Sequence, residues 1–136
     1  MKTVLRWLDI IVYLVFLVFA ALTGPRGTTW YLGLCISFAA IPWWFAARWQ
    51  LGASFSVAAR ANQLVTTGMY SKFRHPVYVF GGVAWFGALL VLLGWQAWII
   101  GLLVAAIEIV RARREERVLA AAFGNEYEQY RRNTWF

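Results

Sequence analysis

Four apolar runs separated by polar breaks organise this chain. The first extends from about Val4 to Leu22 and closes at Thr23-Gly24-Pro25-Arg26-Gly27. The second runs from about Thr29 to Ala47 and closes at Arg48, the third from Val77 to Leu93, and the fourth from Trp95 to Val110. A bilayer core takes roughly 17–25 apolar residues as helix, so the last two runs are short but sufficient. Only Gly94-Trp95-Gln96 parts them, which predicts a tight antiparallel hairpin. Beyond Val110 the pattern turns amphipathic, with Val118, Leu119, Ala122 and Phe123 at helical spacing and charges between them. The fourth helix is therefore expected to continue to about Phe123, to break at Gly124-Asn125, and to be followed by a short helix over Glu126 to Arg132. The expected fold is all-α, a single membrane domain over 1–136 with about four transmembrane helices. It divides into two spans (1–47), a linker (48–76), a hairpin (77–110) and an amphipathic tail (111–136).

Composition agrees with that reading. The chain is 62% hydrophobic and 14% charged, too little charge to cover a soluble domain of its length. Its nine Trp and six Tyr suit membrane interfaces, where a ring with one polar edge is best accommodated. A formal charge of +7 in a soluble protein would raise nucleic acid as a partner. Here the cations fall in loops and tail, so topology accounts for them and no nucleic-acid partner is expected. Arg26 alone lies in the first loop and no Lys or Arg in the Gly94 turn, whereas Arg48, Arg60, Lys72 and Arg74 lie in the linker. Arg111, Arg113, Arg114, Arg117, Arg131 and Arg132 lie in the tail. The positive-inside rule then places both termini and the linker in the cytoplasm. Lys2, Arg6 and Ala20-Ala21-Leu22 give the first run some look of a signal peptide. Its length, Asp9 and the span that follows at once argue against cleavage. The lone Cys35 permits no intrachain disulfide and reads as a small apolar filler.

Chemistry-bearing residues concentrate on two segments. Glu108, Arg111 and Glu115 share one face of the fourth helix, forming a charged stripe that begins inside the span. An ionisable group costs about 2.5–3.5 kcal/mol at the centre of a span and usually faces protein or a wet cavity. Spacing alone equally allows a structural ion pair at the helix end, with the arginine reaching for headgroups. His75, the sole histidine, precedes Pro76 at the start of the third run, where proline suits the first helical turn. Taken alone it marks a cationic helix start, whose free N–H groups also attract anionic ligands. No set of ligands for a metal is present, nor any Gly-x-Gly-x-x-Gly, Walker or Gly-x-Ser-x-Gly motif.

The order of two further motifs is more specific. Thr66-Thr67-Gly68-Met69-Tyr70-Ser71-Lys72-Phe73-Arg74-His75-Pro76-Val77-Tyr78 is followed, after the hairpin, by Glu115-Glu116-Arg117-Val118-Leu119 and Phe123-Gly124-Asn125-Glu126-Tyr127. From about Asn62 to Tyr130 the chain resembles the membrane methyltransferases related to isoprenylcysteine carboxyl methyltransferase and the phospholipid methyltransferases. The resemblance implies S-adenosylmethionine as cofactor, with S-adenosylhomocysteine as product and a lipidic or apolar acceptor. It implies cofactor contacts from Asn62, Gln63, Leu64, Val65 and Tyr70 in the linker, from His75, Pro76, Val77 and Tyr78 at the helix start, and from Glu115. It implies that Arg111 clamps the acceptor. Two departures leave the acceptor open: the glycine after Tyr78 arrives one residue late, at Gly81, and Asn62 stands where the carboxyl methyltransferases often carry His.

Two other functions compete. Steroid-type membrane reductases share a similar Arg-His-Pro-x-Tyr helix start and use NADPH, but Val77, Gly82 and Glu115-Glu116 depart from their pattern. A non-enzymatic four-span carrier would place an acid deep in the first span, whereas Asp9 lies near its end and is expected to cap or anchor the helix.

Overall fold

Glycine and proline set the helix boundaries where the sequence pattern breaks. The structure, a computed structural model, describes residues 2–51 and 64–135, with side chains from Trp7 onward. In chain order come α1 (Lys2–Thr23), α2 (Thr28–Leu51), α3 (Pro76–Leu93), α4 (Ala97–Phe123) and α5 (Asn125–Arg132). Short 3-10 turns occupy Gly68–Ser71 and Gly94–Gln96. Pro76 takes the first position of α3, where its missing N–H costs nothing. Gly94 (φ 61°) ends α3 and Gly124 (φ 51°) ends α4, both in the left-handed region that glycine enters without strain. The hairpin, the extension of α4 to Phe123 and the short final helix thus lie where the pattern put them.

α2 runs further than its apolar run, through Arg48 to Leu51. Arg48 is only 2% exposed and its guanidinium meets Asp9 of α1 at 2.6 Å. A buried cation needs such a partner, so the pair lets the helix continue past the polar residue and ties α2 to α1. This is the anchoring role expected of Asp9.

α3 is the central helix, packing against α2 most extensively and also against α1 and α4. Its buried face is Gly81, Ala84, Gly87, Ala88 and Val91, a small-residue stripe that lets backbones approach. Above Ala84 the three helices share one acceptor: the Tyr13 hydroxyl donates to its carbonyl at 3.3 Å and Ser37 Oγ at 3.4 Å. The Tyr13 ring stands edge-on to Trp44 and Trp85, with centroids 5.3 and 5.2 Å away. A Cβ placed on Gly87 would stand 2.6 Å from Ser37 Oγ and 2.8 Å from the Gly33 carbonyl oxygen, too close for any side chain. Gly87→Leu is therefore expected to lose about 1–3 kcal/mol through forced separation of α2 and α3, read as a lowered thermal midpoint in detergent.

The outward surface is apolar. Val15 is 67% exposed, Leu22 74% and Leu102 69%, along with many other large apolar side chains on α1, α2 and α4. Such a belt is compatible with lipid rather than water. Among the described residues two helical stretches, Thr28–Leu51 and Pro76–Phe123, are long and apolar enough to cross a membrane, and Trp7–Thr23 is a shorter apolar helix.

Candidate functional site

The segment that leads into α3 is held from three sides. At the 3-10 turn, Gly68 (φ 63°) lies against Gln50 of α2, whose side-chain oxygen accepts from the Met69 amide at 2.7 Å. This seats Tyr70 in the interior, where burial, reinforced by the nearby Glu115 charge, pushes its hydroxyl pKa well above the ordinary value. Two backbone bonds then zip the linker to the end of the tail: Trp135 donates to the Lys72 carbonyl at 2.7 Å and Arg74 to the Trp135 carbonyl at 2.9 Å. The Arg74 guanidinium also donates to the Arg131 carbonyl at 3.1 Å. These contacts hold the start of α3 against α5 and the residues that follow it.

Two adjacent acids on α4 meet this helix start. Glu116 takes Arg74 Nε at 3.0 Å and His75 Nε2 at 3.3 Å. Glu115 lies 3.9 Å from His75 Nδ1 and within hydrogen-bonding reach of the Tyr78 hydroxyl. His75 is buried, and desolvation lowers its pKa despite the two neighbouring carboxylates. The imidazole is therefore neutral at pH 7 and interacts with Glu116 as a hydrogen-bond donor rather than as a cation. Tyr130 of α5 closes the other side. Its hydroxyl is buried without a hydrogen-bond partner, and burial pushes its pKa up to about 12. The charge of one partly exposed carboxylate, Glu115, thus acts on three phenols, Tyr70, Tyr78 and Tyr130, and only Tyr78 is within hydrogen-bonding reach of it.

One turn toward the apolar part of α4, Arg111 reaches Glu108 at 3.4 Å and lies over the Tyr78 ring, 5.4 Å from its centroid. The stripe Glu108, Arg111 and Glu115 is thereby brought against the first turn of α3. From Tyr78 and Glu108 a groove of about 570 Å³ extends between α3 and α4. Its walls include Trp85, Phe86 and Trp98, with Gly82, Gly101 and Ala105 leaving the space between the helices open. Glu108 Oε2 is buried at its polar end without a hydrogen-bond partner.

Of the residues singled out in the sequence, Tyr70, His75, Tyr78, Arg111 and Glu115 converge here, with Pro76 and Val77 forming the helix start between them. Leu64 and Val65 are half-buried in irregular backbone ahead of the Gly68 turn. Asn62 and Gln63 lie outside the described residues. The structure adds Glu116, Arg74, Tyr130 and the aromatic groove. The spacing Tyr127-x-x-Tyr130 on a polar helix was the available signal for the tyrosines, since it sets two rings on one helix face. Among the described residues no cluster of His, Cys, Asp and Glu could hold a metal ion.

A family model described as phospholipid methyltransferase matches residues 27–126, which include every residue of this site except those on α5 and the chain end beyond it, such as Tyr130. The chain is also similar to a protein-S-isoprenylcysteine O-methyltransferase of Schizosaccharomyces pombe, 39% identical over 90 residues. That match covers 61% of this chain and 38% of the yeast protein, so the chain spans well under half of that relative's length.

Proposed function

The chain belongs to the phospholipid methyltransferase family, and from that premise we propose that it methylates a lipidic or apolar acceptor at the membrane, using S-adenosylmethionine. The acceptor is a carboxylate of the prenylcysteine type or a phospholipid headgroup. The observation that carries this reading is the junction of two unlike spaces: an apolar groove between α3 and α4 opens directly onto the polar cluster of Tyr78, Glu108, Arg111 and Glu115.

The residues present fit a cofactor that is both cationic and rich in hydrogen-bond donors. Glu115 is a partly exposed carboxylate whose charge acts on Tyr70, Tyr78 and Tyr130, and the Tyr130 hydroxyl is buried without a partner. Phenol faces attract a cation by about 0.5–2 kcal/mol each, and a carboxylate takes an ammonium or a ribose hydroxyl. Glu115, Tyr70, Tyr78, Tyr130 and the helix start at His75, Pro76 and Val77 would hold it, together with Asn62, Gln63, Leu64 and Val65 of the linker. When bound, S-adenosylmethionine supplies an electrophilic methyl group on a sulfonium.

The protein's own contribution is positioning and field, since methyl transfer needs no covalent enzyme nucleophile. Arg111 clamps the anionic part of the acceptor through its planar fork, and its contact with Tyr78 fixes the guanidinium beside the cofactor side. The groove takes the acceptor's apolar chain and excludes water from it. Glu116, held by Arg74 and His75, locks the helix start that both ligands share.

In this reading α1 to α4 each cross the bilayer, with linker, tail and both termini cytoplasmic, the arrangement that the arginine distribution supports. Protease cleavage of the tail from the opposite face would overturn the placement. The activity is tested by calorimetry of S-adenosylhomocysteine on detergent-purified protein, with NADPH as comparison. Binding of the thioether alone is the expected result; binding of NADPH alone would move the protein to the reductases.

A further inference from the structure

A second polar cleft lies on the other side of Glu116, away from the acceptor groove. It has a volume of about 300 Å³ between α4 and α5 and is lined by Arg113, Glu116, Arg117, Ala120, Tyr127 and Arg131. Arg113 and Arg117 stand one helical turn apart on the same face. Neither forms an ion pair among the described residues, and Arg131 has only a loose, exposed contact with Glu128 at 3.8 Å. The one acid in the cleft, Glu116, is already engaged by Arg74 and His75. Tyr127 is 1% exposed, and its hydroxyl has no hydrogen-bond partner. Burial pushes that hydroxyl's pKa up to about 12, so it remains a neutral donor.

We propose that this cleft is a phosphate-binding site, in which Arg113, Arg117 and Arg131 hold a phosphate group with the Tyr127 hydroxyl as a further donor. Guanidinium forks match phosphate oxygens in geometry as well as charge, and the buried phenol gains the partner it lacks. Position favours the same ligand. With α4 crossing the membrane as proposed above, Arg113 and Arg117 lie about 4.5 Å and 10 Å along the helix beyond Val110. The headgroup layer outside the hydrocarbon is about 5–8 Å thick on each face, so Arg113 lies within the layer of lipid phosphates and Arg117 just beyond it. The bound group comes from an anionic lipid headgroup or from free phosphate. The site is distinct from the methyl-transfer cluster and does not depend on its chemistry.

The test uses the whole protein and the double substitution Arg113→Gln/Arg117→Gln. Its control is Arg114→Gln/Arg132→Gln, which removes the same charge outside the cleft. Two probes are measured: inorganic phosphate by calorimetry, and enrichment of phosphatidic acid over phosphatidylcholine on protein taken from mixed vesicles, by native mass spectrometry. A hydrogen bond to a charged group contributes roughly tenfold or more, so the cleft variant is expected to lose about 100-fold or more, while the control loses only the general surface-charge contribution of roughly fivefold per arginine. Loss for both probes assigns a general phosphate site, and loss for the lipid alone assigns a headgroup site. Equal losses in cleft and control variants would overturn the proposal, because the effect would then be that of surface charge. No loss in either would overturn it too. Tyr127→Phe provides an independent check: it is expected to weaken phosphate binding without lowering thermal stability, since the hydroxyl it removes has no partner to lose. Retained binding of S-adenosylhomocysteine in every variant separates failure of this site from failure of the methyltransferase reading.

Discussion

Glu115→Ala is expected to weaken S-adenosylhomocysteine binding by about 10–150-fold, the range for losing one hydrogen bond to a charged group. The substitution removes the only carboxylate among the described residues that Tyr70, Tyr78 and Tyr130 share. It leaves Glu116 in place, so the ties to Arg74 and His75 that fix the start of α3 survive. Glu115 is about one-third exposed, so its removal creates little cavity, and the thermal midpoint should change little. Glu115→Gln keeps shape and one acceptor but loses charge; an intermediate loss would assign the effect to a cationic part of the cofactor. Unchanged binding in a folded Glu115→Ala protein would remove this residue from the cofactor's contacts.

The contrast with Glu116 shows why one acid could be read from sequence and its neighbour could not. Adjacent helix positions differ by about 100° in direction, so an acid pair always points two ways. Resemblance singled out Glu115. Only the packed helices reveal that Glu116 faces Arg74 and His75, and therefore has a positioning task. The same limit applies to the Asp9–Arg48 pair and to the return of Trp135 onto the linker backbone. Both are meetings of distant segments that no local periodicity encodes. What periodicity and breaker residues encode well are elements: the Gly94 turn, the long α4, the stop at Gly124, and the charged stripe on one face of α4. The groove between α3 and α4 is a mixed case. Gly82, Gly101 and Ala105 are visible as small residues, but in an apolar hairpin small residues equally serve close packing, as Gly87 does against α2. Which face closes and which stays open is decided by α2 and α1, which pack on one side of α3 and leave the groove side to α4.

Arg111→Ala is expected to behave in the opposite way to Glu115→Ala: S-adenosylhomocysteine binding is retained and turnover falls by about 100-fold or more. Arg111 is exposed, and its pair with the partly buried Glu108 is long, at 3.4 Å, so its loss costs little stability. Its position is what matters. It stands between the Tyr78 ring and the polar mouth of the groove, where an acceptor's anionic group must be brought to the methyl donor. Misplacing a reacting group by about 1 Å costs on the order of 100-fold in rate. Arg111→Lys keeps the charge but not the planar fork, and should recover only part of the activity. The measurement is a single-turnover methyl-transfer rate beside the dissociation constant of the thioether product, with lipid extract as the acceptor source. If Arg111→Ala abolished cofactor binding while Glu115→Ala spared it, the two roles assigned here would have to be exchanged. The apolar groove would then open onto the glutamate, and a cationic acceptor would be the better match than an anionic one.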